Sequence, residues 1–443
     1  MALTAEQPVD AALTPAIETL LRRTFTADGT GAAVIAVRRG QTVFRAAYGR
    51  ANLELVVPMQ PDMVFRLASL TKQITAVAIL MLAEQGRLAL DADISSLLPG
   101  YPRREQPVTV HHLLTHTSGV NSFRNPDQAR ALPRRDLTMA EMLVQVAEAP
   151  PESAPGERFL YNNAGYNLLG AILQQASGQT YEQFLQEHIF GPLGMAQTYY
   201  EHPERIIPGR VTGYVPVPNV LQNVQFVNVS LAFAAGGLLS SVDDLARWHA
   251  ALTANRLLRR ETLELAFTSA TLNDGTTVGY GYGWHLRSYE GHRITEHGGE
   301  FAGFHNHALR LPDDDVYVVV LTNQLPGVTP PSQLTMRIAA LLLGKPYQDP
   351  VAITLPAATL ARYCGTYQTR VGEVLTVGYD GDQLFLQPAG GSPQPIYPEA
   401  PTRFFFRDSF TRLTFREDPD GTTNSFQTQD RGGPVRDAVR SDG

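Results

Sequence analysis

The stretch that decides the reading of this chain begins Phe65-Arg66-Leu67-Ala68-Ser69-Leu70-Thr71-Lys72 and continues into the apolar run Ala76-Val77-Ala78-Ile79-Leu80-Met81-Leu82-Ala83. The pattern predicts a helix that starts near Ser69 and stops at Gly86, because glycine often follows a helix end. Residues three apart share a helix face, so Ser69 and Lys72 stand side by side on the first turn. The helix is apolar nearly all round, which predicts burial. A hydroxyl group and an amine are therefore expected together at the rim of a core.

Lysine usage makes this pair more specific. The chain has 36 lysines and arginines together, and only Lys72 and Lys345 are lysines. Arginine keeps its proton at any working pH, whereas lysine loses it readily once desolvated. The alternative interpretation makes Ser69 a helix N-cap and Lys72 a solvated first-turn residue. Acidic residues are favoured in the first turn, which weighs against that alternative.

Composition limits the class of protein. A chain of 443 residues is expected to form two or three domains, and 43% hydrophobic with 18% charged residues is typical of a soluble globular protein. The net charge of −7 disfavours nucleic acid and anionic membrane surfaces as partners. No apolar run reaches the ~18 residues of a membrane span. The N-terminal residues lack a secretory signal pattern and Cys364 is the single cysteine, so a cytoplasmic location is expected.

The element pattern predicts an α+β domain followed by an all-β domain. A hairpin is expected over residues 32–37 and 43–47, mainly helices over 88–270, and strands near 280–286, 292–296, 305–311 and 316–322. Strands at both ends with helices between them indicate one sheet assembled from both ends of the chain. The first domain is expected over residues 1–345 and a linker over 346–356. Short alternating segments over 357–443 predict a small barrel, with a polar, disordered tail from Gln427.

Two further motifs bear polar groups suited to a cleft. Tyr161-Asn162-Asn163 lies between a proline-rich loop and a helix, and it offers a phenol and an amide. Glu296-His297-Gly298-Gly299-Glu300 offers an imidazole beside two glycines that allow close approach of a ligand to the backbone. Each motif alone is weak, because loop tyrosines usually pack and a histidine before a glycine turn is usually satisfied internally.

Taken together and in this order, Ser69-x-x-Lys72, Tyr161-x-Asn163 and His297-x-Gly299 resemble the serine hydrolases related to class C β-lactamases and D-peptidases. The resemblance covers about residues 15–345. The C-terminal part resembles the small lipocalin-like barrel appended to some D-aminopeptidases and esterases of this family. Connecting segments with the same resemblance are His112-Leu113-Leu114-Thr115-His116-Thr117-Ser118-Gly119, Asn163-Ala164-Gly165-Tyr166, Gly191-Pro192-Leu193-Gly194-Met195 and Ala235-Gly236-Gly237-Leu238. The fold that the resemblance implies is a β-lactamase/transpeptidase-like domain, an antiparallel sheet flanked by helices plus a helical subdomain.

The resemblance implies a catalytic role for each motif. Ser69 would form an acyl-enzyme, and either Lys72 or Tyr161 would take its proton. Asn163 would orient Lys72 and the substrate amide, and Tyr161 would pass the proton to the leaving group. The backbone N–H groups of Ser69 and Glu300 would form the oxyanion hole. No metal or cofactor is implied. Residues expected to line the substrate pocket are Asn121, Phe123, Tyr282, Gly298, Gly299, Phe304 and His307.

His297 stands where β-lactamases and penicillin-binding proteins usually carry the lysine of a K-T-G motif. A histidine is mostly neutral at pH 7, so we expect poor use of carboxylate-bearing β-lactams and better use of small esters or D-amino-acid amides and peptides. The alternatives are a β-lactamase or D,D-carboxypeptidase, and a catalytically silent binding protein with the same fold. A homo-oligomer is left open.

Overall fold

The computed structural model describes residues 13–122, 138–217, 220–224, 229–326, 329–370, 372–381, 383–418 and 422–441. The chain divides into two compact units. The first comprises Met1–Leu286 and His292–Pro346, and the second comprises Arg287–Gly291 and Tyr347–Gly443.

The first unit is built on a six-stranded sheet whose paired neighbours run antiparallel. Two neighbouring strands of the sheet, Ala32–Arg38 and Val316–Thr322, come from opposite ends of the first unit, and they pair in the register Val34 with Val320. The strand Val316–Thr322 is buried at every position. This confirms the predicted sheet assembled from both ends of the chain. In sheet order the strands are His285–Tyr289, His292–Phe301, Phe304–Leu311, Val316–Thr322, Ala32–Arg38 and Gln41–Tyr48.

Helices cover both faces of this sheet. Thr335 of the helix Pro331–Leu342 bonds to His307, which pairs with Val320. On the opposite face, His249 of the helix Val242–Thr253 stacks on Tyr317 with ring centroids 4.6 Å apart. The other main helices are Leu13–Thr24, Val110–Leu114, Met139–Glu148, Asn163–Ser177, Tyr181–Leu185 and Arg260–Ala266, with a π-helical turn Gln186–Phe190 and short helices Ile94–Leu97, Gly191–Leu193 and Phe233–Gly236. The smaller strands of this unit are Arg50–Asn52 with Val57–Pro58, Phe65–Arg66 with Leu238–Ser240 and Tyr199–Tyr200, and Tyr214–Val217 with Val220–Asn223.

The helix after Ser69 starts and ends where the sequence predicts. A 3₁₀ turn, Ala68–Leu70, leads into the α-helix Thr71–Glu84, and Gly86 follows with φ +71°. The side chain of Ser69 does not cap the turn or the helix, and Lys72 is fully buried. The alternative interpretation, a capping serine with a solvated lysine, is therefore wrong.

The predicted strand over residues 280–286 is also wrong. The strand begins only at His285, and the preceding glycine- and aromatic-rich segment is a loop. Gly283 turns with φ +87°, and a Cβ atom there would lie 2.8 Å from the carbonyl oxygen of Lys72. This close approach to the Ser69 helix bends the segment out of the sheet.

The second unit contains a closed barrel, which confirms the predicted all-β architecture. The predicted disorder from Gln427 is wrong, since two strands run through this tail and the last one closes the barrel by pairing with the first. Phe426, just before the tail, and Ala438 within it are both buried in the barrel core, despite the polar composition of the tail. The barrel strands are Gly365–Thr369, Val374–Tyr379, Leu384–Pro388, Gln394–Pro398, Arg403–Phe405, Thr411–Glu417, Thr423–Asp430 and Arg436–Arg440, preceded by the helix Ala357–Ala361.

Candidate active site

Ser69 lies half-buried in the 3₁₀ turn at the start of its helix. Ala68 before it has φ +51°, a left-handed conformation that is unusual for a residue other than glycine. The strand Phe65–Arg66 pairs with Leu238–Ser240 and holds the chain just upstream of this turn. The serine is therefore presented on a sharp turn between a strand and a buried helix.

Lys72 is fully buried and has three oxygen partners. Its Nζ atom lies 3.0 Å from Ser69 Oγ, 2.8 Å from Asn163 Oδ1 and 2.8 Å from the carbonyl oxygen of Ala235. Burial lowers the pKa of the Lys72 amine well below its ordinary value. A neutral amine has two hydrogens and one lone pair. Because Asn163 Oδ1 and Ala235 O can only accept hydrogen bonds, they occupy both hydrogens, and the lone pair faces the hydroxyl group of Ser69.

The Tyr161 motif lies beside this amine. Asn163 is the first residue of the helix Asn163–Ser177, and Asn162 caps that helix by accepting from the Gly165 N–H. Lys72 Nζ lies 4.8 Å from the centroid of the Tyr161 ring. The structure thus brings the Ser69 and Tyr161 motifs together.

The third motif lies in the strand His292–Phe301, next to the Ser69 turn. A Cβ atom on Gly299 would collide with the carbonyl oxygen of Leu67 and would lie 3.3 Å from the backbone nitrogen of Ser69. A Cβ atom on Gly298 would have its nearest neighbours at 3.7 Å, which is an ordinary van der Waals contact. Gly299 is therefore required by the approach of two protein backbones, a reason different from the ligand approach that the sequence suggested. The oxyanion role of the Glu300 N–H stays a prediction.

His297 is buried, and both of its ring nitrogens have partners within the protein. Its Nδ1 atom lies 2.6 Å from the carbonyl oxygen of Gly298, and its Nε2 atom lies 3.1 Å from the hydroxyl group of Tyr280. Burial, followed by the nearby Lys72 amine, lowers the pKa of His297 to about 3. This shift favours the neutral ring that the sequence predicts, and both of its hydrogen bonds run to the protein.

Most of the residues expected to line the pocket lie inside the protein. Tyr282 bonds to His111 (Oη to Nδ1, 2.8 Å), and Phe304 packs edge-on against Phe65. His307 bonds to Thr335 (Nδ1 to Oγ1, 2.7 Å). Asn121 is half-buried and donates to the Pro150 carbonyl, while Phe123 lies outside the described residues. Contact of these side chains with a substrate stays a prediction.

Sequence reasoning missed three contributors to the site. The Ala235 carbonyl oxygen, a partner of Lys72, belongs to a segment noted only for its resemblance. His116 also belongs to such a segment, and its ring lies 4.4 Å from that of Tyr161. Tyr280, assigned to a strand, bonds to His297. His116 and Tyr280 are both buried, so their side chains belong to the wall behind the site.

Within the described ranges, no three histidine, cysteine or acidic side chains are grouped so that they could hold a metal ion. Among those same residues, no helix has the length and apolarity needed to cross a membrane.

The antiparallel sheet, the buried helix bearing Ser69 and Lys72, and the glycine strand beside them define the β-lactamase and transpeptidase fold. The chain belongs to the Beta-lactamase family, which matches residues 21–343, and is thereby a β-lactamase-family serine hydrolase. Residues 349–437 match a second family, a Domain of unknown function (DUF3471).

Relatives extend over most of the chain. A penicillin-binding protein of Bacillus subtilis (strain 168) is 30% identical over 92% of this chain and 94% of its own length. Esterase EstB of Burkholderia gladioli is 33% identical over 57% of this chain and 74% of its own. A D-aminopeptidase of Gluconobacter oxydans (strain 621H) is 28% identical, and the match spans 76% of this chain and 63% of that relative. The octameric penicillin-binding protein homologue from Pyrococcus abyssi superimposes with a TM-score of 0.67 at 26% identity, over 96% of this chain and 99% of that one.

Proposed function

We propose that this protein hydrolyses small esters, or amides and peptides of D-amino acids, through an acyl-enzyme on Ser69. The observation that carries the proposal is the buried amine of Lys72, which lies 3.0 Å from Ser69 Oγ. An unassisted serine is a weak nucleophile, and a neighbouring neutral amine supplies the base that it needs.

In the first step, Ser69 Oγ attacks the substrate carbonyl carbon while its proton passes to Lys72 Nζ. Lys72 is the proposed base, because its other two partners leave the lone pair facing the serine. The oxygen of the tetrahedral intermediate would be held by the N–H groups of Ser69 and Glu300.

Collapse of the intermediate breaks the bond to the leaving group. The alcohol or amine leaves with a proton delivered through Tyr161, whose ring lies against the Lys72 amine. Water then attacks the acyl-enzyme, its proton is taken by the same groups, and the carboxylic acid product leaves with Ser69 regenerated. Asn163 is proposed to orient Lys72 throughout, as its 2.8 Å bond to Nζ supports.

The charges of the site support uncharged or amine-bearing substrates over carboxylates. Lys72 and His297 are both shifted toward their neutral forms. Arg66, close in sequence to Ser69, forms a bidentate pair with Glu201 (Nε and Nη2 to the carboxylate, 2.7 to 2.9 Å). None of these three groups offers a free cation for a substrate carboxylate. The names of the esterase and D-aminopeptidase relatives agree with this choice.

A β-lactamase or D,D-carboxypeptidase is the second candidate, favoured by the penicillin-binding protein relative. A silent binding protein is disfavoured, because Ser69, Lys72 and Asn163 keep their mutual hydrogen bonds. One substrate panel separates the three. It contains short and long p-nitrophenyl esters, D- and L-aminoacyl p-nitroanilides and a chromogenic cephalosporin, each with Ser69→Ala as the blank.

We expect turnover of an ester or a D-aminoacyl anilide that Ser69→Ala abolishes. A cephalosporin turned over as well as the best ester would favour the second candidate. No turnover, together with no labelling by a fluorophosphonate probe, would favour the binding protein.

We further propose that residues 1–345 and 357–443 are separate domains joined by 346–356. The division of the fold into two units and the two family matches support this assignment. A homo-oligomer is also proposed, supported by the octameric Pyrococcus abyssi homologue. Light scattering coupled to size exclusion measures the assembly directly, and a monomer mass would contradict it.

A further inference from the structure

Four hydrogen bonds connect the Tyr161 motif, through buried side chains, to the strand His292–Phe301. The backbone nitrogen of Asn162 lies 3.0 Å from His116 Nδ1, and His116 Nε2 lies 3.2 Å from Tyr280 Oη. Tyr280 Oη lies 3.1 Å from His297 Nε2, and His297 Nδ1 lies 2.6 Å from the carbonyl oxygen of Gly298. His116, Tyr280 and His297 are each at most 2% exposed. We refer to these three side chains as the His–Tyr–His chain.

The two ends of this chain determine where every proton lies. The Asn162 N–H can only donate, so His116 Nδ1 accepts and the ring proton sits on Nε2, which donates to Tyr280. The Gly298 carbonyl can only accept, so His297 carries its proton on Nδ1. His297 Nε2 is then the acceptor for the Tyr280 hydroxyl proton. All four bonds are satisfied in one direction when both imidazole rings are neutral.

Tyr166, a neighbour of Tyr280, leaves these proton positions unchanged. Tyr166 lies close enough to Tyr280 to interact with it, but its own hydroxyl group donates to the Leu114 carbonyl at 2.9 Å. Tyr166 therefore has no hydrogen left to offer Tyr280. Tyr280 keeps its own hydrogen for His297 Nε2, the stronger base.

We propose that His116 and Tyr280 are positioning residues that hold His297 neutral, with its proton on Nδ1, in the strand His292–Phe301 near Lys72. Each imidazole lone pair is occupied by a hydrogen-bond donor, so neither ring can take up a second proton without losing that bond. The effect on rate rests on the proposed acyl-enzyme mechanism, whereas the proton positions do not.

A neutral His297 matters because Lys72 must accept the proton of Ser69. A positive charge on His297 would oppose that uptake, since the charges of His297 and Lys72 disfavour each other. The titratable groups that face His297 are Lys72 on the Ser69 helix, His307 on the adjacent strand, His285, Tyr161 and Tyr280. The rings that face His116 are Phe159, Tyr161, Tyr166 and Tyr280.

Long-range ¹H–¹⁵N correlation spectra of the full chain labelled with [¹⁵N]histidine test the proton positions. Signals are assigned with His116→Gln and His297→Gln. We expect a neutral His116 protonated on Nε2 and a neutral His297 protonated on Nδ1 at every pH from 5 to 8. A His297 signal protonated on Nε2, or an imidazolium in this range, would overturn the proposal.

Tyr280→Phe tests the positioning role, with Tyr367→Phe as the matched control. Tyr367 is also fully buried, and its hydroxyl group donates to the Tyr363 carbonyl at 2.9 Å in the barrel. Without the Tyr280 hydroxyl, the Nε2 lone pair of His297 is free to be protonated. Burial and the Lys72 amine still lower the pKa of His297 in this variant, so protonation of Nε2 is expected only at the acidic end of the range from pH 8 to pH 5.

We therefore expect kcat/KM of Tyr280→Phe to fall about twofold or more beyond the fall of the wild type or Tyr367→Phe between pH 8 and pH 5, since half of the ring is charged where the pH equals its pKa. Unchanged His297 signals in Tyr280→Phe, or a pH profile matching the control, would contradict the inference. Correct proton positions in a protein that hydrolyses nothing in the panel would contradict the proposed function and leave the His–Tyr–His chain intact.

Discussion

Lys72 Nζ and Asn163 Oδ1 lie 2.8 Å apart and join the first turns of two helices that are 91 residues apart in sequence. This bond, together with the one to the Ala235 carbonyl, fixes the direction of the amine. The remaining position around Nζ points to Ser69 Oγ. The orientation of the base is therefore set by residues from two other segments of the chain.

Replacement of Lys72 tests its role as the base. Lys72→Arg introduces a side chain that stays protonated and cannot accept a proton, and Lys72→Met removes the amine, so both are expected to lower kcat by about 10²–10⁴ on the best ester. Lys345→Arg is the matched control at the other lysine, which lies on an exposed contact with His292. Near wild-type kcat in Lys72→Arg, with folding verified by circular dichroism, would contradict the assignment.

Adjacent glycines provide a matched pair. Gly299→Ala would force the strand away from Leu67 and Ser69, whereas Gly298→Ala meets only ordinary contacts. We expect Gly299→Ala to lower kcat by about 10²–10³, the usual cost of one oxyanion donor, with Gly298→Ala within a few-fold of wild type. Equal losses in the two variants would show that the close approach of Gly299 is not what the reaction needs.

The pH dependence of the reaction follows from Lys72. Its pKa is well below the ordinary value because of burial, and the neutral form is the base. The kcat/KM for an uncharged ester is therefore expected to rise with pH as Lys72 loses its proton, with a midpoint well below that of a solvated lysine. A rising limb centred near ~10.4, the ordinary lysine value, would contradict a desolvated base.

Some residues of this site could be predicted from the sequence, and others could not. Helical spacing placed Ser69 beside Lys72, and the sparing use of lysine marked the amine as special. The Ala235 carbonyl contact was not predictable, because a backbone atom leaves no side-chain pattern. Tyr280 was assigned to a strand because its segment alternates aromatic residues with glycine. The structure shows a loop there, since Gly283 packs against the backbone of Lys72.

The barrel, too, could be predicted only in part from the sequence. The turn signals Asp380-Gly381 and Asp420-Gly421 predicted short strands, but the polar composition of the tail from Gln427 predicted disorder. Closure of the barrel depends on pairing between its first and last strands, which local composition does not reveal.

Phe426 provides the corresponding stability prediction. Its side chain is fully buried in the barrel core, whereas Val439 on the closing strand is 57% exposed. Phe426→Ala is expected to lower the free energy of unfolding of the barrel by about 3–5 kcal/mol, and Val439→Ala by less than ~0.5 kcal/mol. Chemical denaturation monitored by circular dichroism measures both. Comparable losses would mean that the tail does not pack as described.

Buried histidines predict acid sensitivity. Burial lowers the pKa of His249 to about 4, so the unfolded chain, with an ordinary value near ~6.5, binds the proton first as pH falls. Stability is therefore full above ~6.5 and is lost toward pH 4, by about 2 kcal/mol at pH 5 from this ring. His249→Gln should lose about 2 kcal/mol less between pH 7.5 and pH 5.

His202→Gln is the control for this measurement, because the His202 side chain is 39% exposed. Urea unfolding at the two pH values gives the comparison. If His249→Gln and His202→Gln lose stability in parallel with the wild type, the buried ring is not a source of the acid sensitivity.

The central claim is that Ser69 becomes acylated. Rapid quenching of the reaction with p-nitrophenyl acetate, followed by tryptic digestion and mass spectrometry, locates the acetyl group directly. We predict a single adduct on Ser69 in the peptide that follows Arg66, absent from Ser69→Ala and strongly reduced in Lys72→Met. An acetyl group on another residue, or turnover by Ser69→Ala at the wild-type rate, would contradict the account.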